Sequence, residues 1–143
     1  FKVGKAAVIY WSGTGNTEAM ANAIAEGMKS AGSEVEVFHV GDFKGSVDDY
    51  ERIAFGCSAM GDEVLEESEF DPFFTSIEGH LSGKKIALFG SYGWGDGAWM
   101  RSWQDRVNSD SANLYDEGLI INSAPDSDGI AKCKDFGAGF AKY

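Results

Sequence analysis

The stretch Ser12-Gly13-Thr14-Gly15-Asn16-Thr17 decides the fold of this chain. It follows the apolar run Ala6-Ala7-Val8-Ile9-Tyr10-Trp11 and precedes a segment in which Met20, Ile24 and Met28 recur at helical spacing. A buried strand that turns through glycines and hydroxyls into a helix makes an anion site, because free N–H groups and the helix dipole favour negative charge. The stretch therefore predicts a β–α unit with an anion-binding loop.

The lack of basic residues near this loop restricts the kind of anion that it could bind. The first basic residue after the loop is Lys29, so the loop does not match the Walker A pattern, which needs a lysine beside its last hydroxyl residue. The loop does not match G-x-G-x-x-G either. Neutral hydroxyls and amides suit a terminal monophosphate. A Gly/Thr turn without any ligand remains the alternative at this point.

Length and composition predict one globular domain. The chain has 143 residues, of which 43% are hydrophobic, and no apolar run could cross a bilayer. Cys57 and Cys133 lie far apart, so we expect reduced thiols and a cytoplasmic protein. The first residue is Phe1, which leaves open a trimmed start or an excised domain. The net charge of −11 argues against nucleic acid and anionic membrane as partners.

Acidic residues are concentrated in the middle of the chain. Between Lys44 and Lys84 there are ten acidic residues and one basic residue, Arg52. Six of the acidic residues form a cluster, which consists of Asp62, Glu63, Glu66, Glu67, Glu69 and Asp71. We expect the side chains of Glu66, Glu67 and Glu69 to be largely solvated. The cluster is either a solubilising surface or a patch that steers basic partners, and the sequence leaves both open.

Strand-like and helix-like segments alternate, which predicts a doubly wound parallel sheet of about five strands. The predicted strands are Lys5–Trp11, Glu34–Val40, Arg52–Gly56, Lys84–Ser91 and roughly Glu117–Asn122. The predicted helices are a segment through Met20, Ile24 and Met28 that ends at Gly32, then Ala98–Ser109 and Asp126–Ala141. Trp99 and Trp103 follow helical spacing, and we assign both to the core.

Three loops leave the carboxyl ends of predicted strands, where such folds bind ligands. They are Ser12–Thr17, Cys57–Glu66 and Ser91–Gly97. Trp94 is flanked by glycines, so we expect an exposed ring that can stack on a ligand. Met60 adds a polarizable surface from the neighbouring loop.

The three loops together resemble those of the short-chain flavodoxins, especially flavodoxins of anaerobic bacteria. The stretches Cys-Ser-Ala-Met-Gly-Asp-Glu over residues 57–63 and Ser-Tyr-Gly-Trp-Gly-Asp-Gly over residues 91–97 carry the resemblance, with the loop Ser12–Thr17. It extends over nearly the whole chain. It implies strand order 2-1-3-4-5, which is the order of flavodoxins themselves, and one FMN-binding domain over residues 1–143.

The resemblance also implies the residues that bind FMN. They are Ser12, Gly13, Thr14, Gly15, Asn16 and Thr17 at the phosphate, Ser58, Ala59, Met60, Gly61, Asp62 and Glu63 in the second loop, Ser91, Tyr92, Gly93, Trp94, Gly95 and Asp96 in the third loop, and Ser123. Trp94 and Met60 would cover the two faces of the flavin, and Glu63 would bond its pyrimidine N3–H. Relatives have Asn-Glu-Pro where this chain has Ser123-Ala124-Pro125, which leaves the ribityl contact from that loop open.

The implied function is low-potential transfer of single electrons by an electron carrier that is not an enzyme. Gly61 could turn a carbonyl toward a protonated flavin N5 and so stabilise the semiquinone. Nearby acids would make the anionic reduced flavin costly. The implied partners are redox enzymes with basic faces: ferredoxin or flavodoxin reductases, enzymes similar to pyruvate:ferredoxin oxidoreductase, and hydrogenase-type acceptors. We expect a monomer that binds no metal.

Three other functions are compatible with a fold of this kind. An FMN-dependent oxidoreductase of the same fold needs a substrate pocket, yet His39 and His80 both lie outside the three loops. A phosphoacceptor receiver needs acids after the first and third strands, where this chain has Trp11-Ser12-Gly13 and Cys57-Ser58-Ala59. A flavin domain of a larger reductase stays open.

Overall fold

Strands and helices alternate along the chain in nearly the order that the apolar patterning predicts. The computed structural model describes residues 5–60, 64–93 and 95–143. The strands are β1 (Ala6–Trp11), β2 (Val35–His39), β3 (Arg52–Cys57), β4 (Lys85–Tyr92), β5 (Asn113–Leu114) and β6 (Leu119–Asn122). The helices are α1 (Asn16–Ser30), α2 (Phe70–Ile77), α3 (Ala98–Ser109) and α4 (Ser127–Ala141). Short 3₁₀ turns lie at Val40–Asp42, Val47–Asp49 and Glu78–His80.

The strands form one parallel sheet in the order β2-β1-β3-β4-β5, which confirms the predicted topology. The register aligns Trp11 with Cys57, and Gly56 with Phe89. The carboxyl ends of β1 and β3 are therefore level with each other, and β4 extends two residues beyond them, to Tyr92. The loops that follow these strands emerge side by side at one edge of the sheet.

The outer edge of the sheet beside β4 differs from the prediction, which was one strand over roughly Glu117–Asn122. Two short strands pair with β4: β5 lies beside Lys85 and Ile86, and β6 lies beside Phe89–Tyr92. The residues between them leave the ladder, and Asp116 has a φ of 52°. An interruption of this kind bends an outer strand and protects it from pairing with another chain.

Apolar side chains alternate between the two faces of the sheet, so each face has its own core. Val8 and Tyr10 pack with α1 and α4. Ala7 and Ile9 belong to the other cluster, which includes residues of α2 and α3. Burial of the aromatic residues is extensive there: Trp99 and Trp103 are both 1% exposed, which confirms their assignment to the core.

Helices α1 and α4 approach closely because glycines face the neighbouring backbone. A Cβ at Gly27 would lie 2.0 Å from the carbonyl oxygen of Lys134, and one at Gly137 would lie 2.1 Å from that of Ile24. Real Cβ atoms do not approach backbone atoms so closely, so any larger residue would push the helices apart.

Helix α2 was not predicted from the sequence. It is eight residues long and has Pro72 near its start, where a missing N–H costs nothing. In the described part of the chain, none of the helices has the length and apolar character needed to span a membrane.

Candidate functional site

A cavity of about 320 Å³ opens at the carboxyl edge of the sheet, where the loops after β1, β3 and β4 meet. Its volume lies at the lower end of the range for small-molecule sites. The loop after β6 also reaches it. The lining residues are Trp11, Gly13, Thr14, Asn16, Ser58, Ala59, Met60, Ser91, Tyr92, Gly93 and Ser123.

A buried hydroxyl joins the loops beneath this cavity. The side chain of Thr17 is fully buried, and its Oγ1 lies 2.6 Å from the Oγ of Ser58. The same Oγ1 accepts a hydrogen bond of 3.2 Å from the amide of Ser91. Ser91 in turn donates its hydroxyl to the carbonyl of Ser123 at 2.9 Å. One chain of hydrogen bonds therefore fixes four loops relative to each other.

The loop between β1 and α1 presents a helix N-terminus to the cavity. Gly15 has a φ of 96°, and its amide donates to the Ser12 hydroxyl at 3.0 Å. Within the described residues, no side chain caps the first turn of α1, so its amides have no side-chain acceptor. Unpaired amides at a helix N-terminus attract anions. The loop therefore fits a phosphate group that is bound by amides and hydroxyls.

Aromatic and apolar side chains form the other wall of the cavity. A Cβ at Gly13 would lie 2.9 Å from the Trp11 ring, so the indole covers the loop backbone. The ring of Tyr92 packs on Trp99, with centroids 5.7 Å apart. Met60 is 37% exposed at the rim. A ligand with a phosphate at one end and a flat apolar ring at the other fits these surfaces.

Trp11 is a lining residue that the sequence analysis did not assign to the site. It ends β1 directly before the glycine loop. Trp94 stands out because glycines lie on both sides of it, whereas Trp11 lies between Tyr10 and Ser12. The signal that could have found Trp11 is its position at the carboxyl end of a predicted strand, directly before the glycine-containing loop.

Several predicted site residues lie elsewhere or cannot be placed. The carboxylate of Asp96 pairs with Arg101 at 3.0 Å and lines a separate cavity with Gly97 and Met100. Gly95 is exposed beside it. The remaining ones, Gly61, Asp62, Glu63 and Trp94, lie outside the described residues. Their roles stay predictions.

The acidic cluster is not uniformly solvated as predicted. Glu66 is only 5% exposed, and its carboxylate accepts hydrogen bonds from the amides of Ser68, Glu69 and Phe70. Burial acts to raise its pKa, but these bonds and one from the Ser68 hydroxyl outweigh burial and hold the pKa below its usual range. The prediction of a solvated Glu66 is therefore wrong, because the start of α2 needs an acceptor. Glu67 and Glu69 are exposed as expected.

Asp71, the last acid of the cluster, also has a structural partner. Arg106 contacts Asp71 at 2.9 Å and Glu78 at 2.6 Å, and so connects α3 to α2. Burial and the neighbouring Glu78 raise the pKa of Asp110, at the end of α3, to about 6. The ion pairs of Arg106 therefore hold α3 against α2, the helix that follows the second loop.

The two cysteines are free and buried. Burial raises the pKa of Cys57 to about 12 and that of Cys133 to about 11. Both are therefore protonated thiols of low reactivity at neutral pH. Among the described residues, no group of three or more potential metal ligands is present.

Comparison with known proteins identifies a consistent set of relatives. A family model described as Flavodoxin matches residues 8–137. The flavodoxin of Clostridium beijerinckii is 47% identical over 94% of this chain and 97% of its own length. The solution structure of two-electron reduced Megasphaera elsdenii flavodoxin superimposes with a TM-score of 0.86, at 45% identity, over 96% of this chain and 99% of that one.

A more distant relative is a larger protein. The flavo-diiron protein FprA2 of Clostridium acetobutylicum is 27% identical over 94% of this chain, but the matched part is only 35% of that protein.

Proposed function

This chain belongs to the flavodoxin family, whose members are small electron carriers with bound FMN, and we propose here which of its residues hold the flavin and meet its partners. The protein is an electron-transfer protein rather than an enzyme. Bound FMN supplies a ring that takes up and releases single electrons. What the chain contributes is binding, orientation and charge.

We propose that the loop Ser12–Thr17 binds the FMN phosphate. The uncapped amides at the start of α1 support this assignment, together with the hydroxyls of Thr14 and Ser58 at the cavity. The absence of a lysine in the loop suits a single terminal phosphate, which these neutral groups can surround. FAD has an adenylate attached to that phosphate, and a loop that closes around the phosphate excludes it.

The flavin ring is proposed to lie against the apolar wall of the cavity. Trp11, Tyr92 and Met60 line that wall and support this assignment. By the resemblance to flavodoxins, Trp94 stacks on one face of the ring and Met60 covers the other. Glu63 accepts the hydrogen bond from the ring N3–H. Amides near Gly93 bond the neighbouring ring oxygen.

Backbone and charge at the second loop are proposed to separate the two electron transfers. A carbonyl at Gly61 would accept a hydrogen bond from the flavin N5 only when that atom carries a proton, so the bond would favour the one-electron-reduced state. Asp62 and Glu63 disfavour the fully reduced anion by charge repulsion. Both effects would make the second electron transfer, between the one-electron-reduced and the fully reduced flavin, strongly reducing.

The exposed acids beside the second loop, Glu67 and Glu69, are proposed to attract partners with basic docking faces. Such partners include ferredoxin or flavodoxin reductases, enzymes similar to pyruvate:ferredoxin oxidoreductase, and hydrogenase-type acceptors. We propose that the protein works as a cytoplasmic monomer. The 47% identity to a flavodoxin against 27% to a flavo-diiron protein favours a carrier over an oxidoreductase of the same fold.

The proposal depends most on the cavity at the carboxyl ends of β1, β3 and β4, and titration with flavins tests it. Protein stripped of flavin is titrated with FMN, riboflavin and FAD, and binding is measured by quenching of flavin fluorescence. We expect FMN to bind at least tenfold more tightly than either of the others. Stepwise reduction with dithionite then checks for a one-electron-reduced spectrum. Equal affinity for FMN and FAD would contradict the phosphate assignment.

A further inference from the structure

The carboxylate of Glu66 lies inside the protein and is surrounded by donors. Its Oε1 accepts hydrogen bonds from the amides of Glu69 and Phe70, at 2.7 and 2.9 Å. Its Oε2 accepts from the amide of Ser68 at 2.9 Å and from the Ser68 hydroxyl. The residue before the helix, Glu69, makes no side-chain cap of its own. Glu66 therefore takes the place of the missing N-terminal cap of α2.

The backbone of Glu66 is attached to the other end of the second loop. Its amide donates to the sulfur of Cys57 at 3.4 Å, across nine residues of sequence. The carbonyl of Cys57 accepts from the indole nitrogen of Trp99 at 3.1 Å. Both ends of the loop from Cys57 to Glu66 are thereby held against buried residues of the core.

We propose that Glu66 is a positioning residue for the flavin: its buried carboxylate fixes the carboxyl end of the loop 57–66 to helix α2. The inference rests on the proposed function, because that loop contains the residues assigned to the reactive edge of the flavin. Met60 lies within this loop, and its amide donates to the carbonyl of Val64 at 3.0 Å. If Glu66 releases α2, the loop loses one of its two anchors.

A purely electrostatic role for Glu66 has a different signature. The charge of Glu66 is compensated locally by three amides, one hydroxyl and the positive end of the α2 dipole. Such a compensated charge acts weakly at a distance. A positioning role predicts that loss of a hydrogen bond without loss of charge also disturbs the loop.

Three variants separate positioning from charge. Ser68→Ala removes the hydroxyl donor and keeps the Glu66 charge. Glu66→Gln removes the charge and one acceptor. Glu67→Gln removes an adjacent exposed charge and leaves the cap intact, so it is the matched control. Hydrogen exchange of the amides of residues 66–70 is measured in the protein with FMN bound, and the FMN dissociation constant is measured at low and high salt.

We expect faster exchange at these amides and a weaker FMN complex in both Ser68→Ala and Glu66→Gln, with the larger effect, about tenfold, in Glu66→Gln. Glu67→Gln should match the parent protein in amide exchange and in FMN affinity. The effects should persist at high salt, since they do not arise from screened charges. If Ser68→Ala matches the parent while Glu66→Gln and Glu67→Gln change FMN affinity equally and only at low salt, the role is electrostatic and the proposal is overturned.

The same data distinguish this proposal from the proposed function. If the parent protein does not prefer FMN, the proposed function fails, whatever the exchange data show. If the parent protein binds FMN and the exchange rates of Glu66→Gln are unchanged, only the positioning role of Glu66 fails.

Discussion

The hydroxyl oxygens of Thr17 and Ser58 lie 2.6 Å apart, although 41 residues separate them in sequence. Thr17 belongs to the first turn of α1 and Ser58 follows β3. Because Thr17 also accepts from the amide of Ser91, this buried hydroxyl connects the predicted phosphate loop to the two loops that are predicted to hold the ring. These two contacts fix the described parts of the three loops relative to each other.

Replacement of Thr17 by valine tests this connection. Thr17→Val should leave the buried amide of Ser91 without its acceptor, which costs about 1–3 kcal/mol. We expect a lower free energy of unfolding in urea and an FMN affinity that is weaker by about tenfold. Thr17→Ser keeps the hydroxyl and is the control. Equal values for the two variants would show that the hydroxyl does not connect the loops.

Trp94 and Trp99 should differ in what they contribute, because one is predicted in the flavin loop and the other is 1% exposed in the core. Trp94→Ala should weaken FMN binding and leave the urea midpoint of the flavin-free protein nearly unchanged. Trp99→Phe should lower that midpoint, because it removes the indole donor to Cys57. It should change FMN affinity less than Trp94→Ala does. Equal losses of affinity would mean that Trp94 does not stack on the flavin.

Close packing of α1 on α4 should make Gly27 intolerant of substitution. The Cβ of Gly27→Ala would meet the Lys134 carbonyl, so the helices must separate. Overpacking of this kind costs about 1–3 kcal/mol of unfolding free energy, measured in urea. Gly79→Ala is the control, since a Cβ there meets nothing within 4 Å. If both variants are equally stable, the helices can separate freely and the close approach has no energetic cost.

The strong local signals in the sequence account for most of the fold. Continuous apolar runs predicted β1 and β4, and helix periodicity predicted α3 with its exact bounds, Ala98–Ser109. The other predicted strands and α4 end within one or two residues of their observed bounds, apart from the interrupted last strand. The interruption of that strand near Asp116 arises from the backbone conformation there, and the pattern of apolar residues does not indicate it.

What the sequence could not provide was the partner of each polar group. Helix α2 is short, and its cap comes from Glu66, three residues before the position where a cap is expected. A glutamate among acids suggests a solvated surface, whereas its burial follows from donors that only the folded chain brings together. The role of Thr17 in the three-loop connection has the same origin.

Asp110 should make stability depend on pH. Its pKa is raised from the ordinary value of 3.8 to about 6 by burial and by Glu78, so the folded protein holds a proton that the unfolded chain releases. Stability contributed by this group is therefore present below about pH 4 and is lost as the pH rises through 6. Asp110→Asn should be more stable than the parent by about 1 kcal/mol at pH 8, and the difference should disappear at pH 4.

Thermal unfolding at the two pH values measures this difference. Asp105→Asn removes a charge from an exposed position of the same helix and is the control. A benefit of Asp110→Asn that is equal at pH 4 and pH 8 would mean that its charge is not what opposes folding.

Exposed acids beside the second loop should control how fast partners associate. Glu67 and Glu69 are exposed, whereas Glu66 caps α2 and is excluded from this test. The double variant Glu67→Gln, Glu69→Gln should slow electron transfer to a basic-faced reductase about threefold at low ionic strength, through the association rate. At about 0.1 M salt the screening length is about 10 Å, so the difference should shrink as salt is added.

A second double variant separates docking from net charge. Glu34→Gln with Asp49→Asn removes two exposed charges near the amino-terminal ends of β2 and β3, on the edge of the sheet opposite the cavity. Stopped-flow rates for both double variants are compared from low to high salt. Only the variant at Glu67 and Glu69 should be slow, because only its charges lie beside the loop that we propose faces the partner. If the two double variants slow transfer equally, net charge rather than a docking patch attracts the partner, and the proposed role of these two acids is wrong.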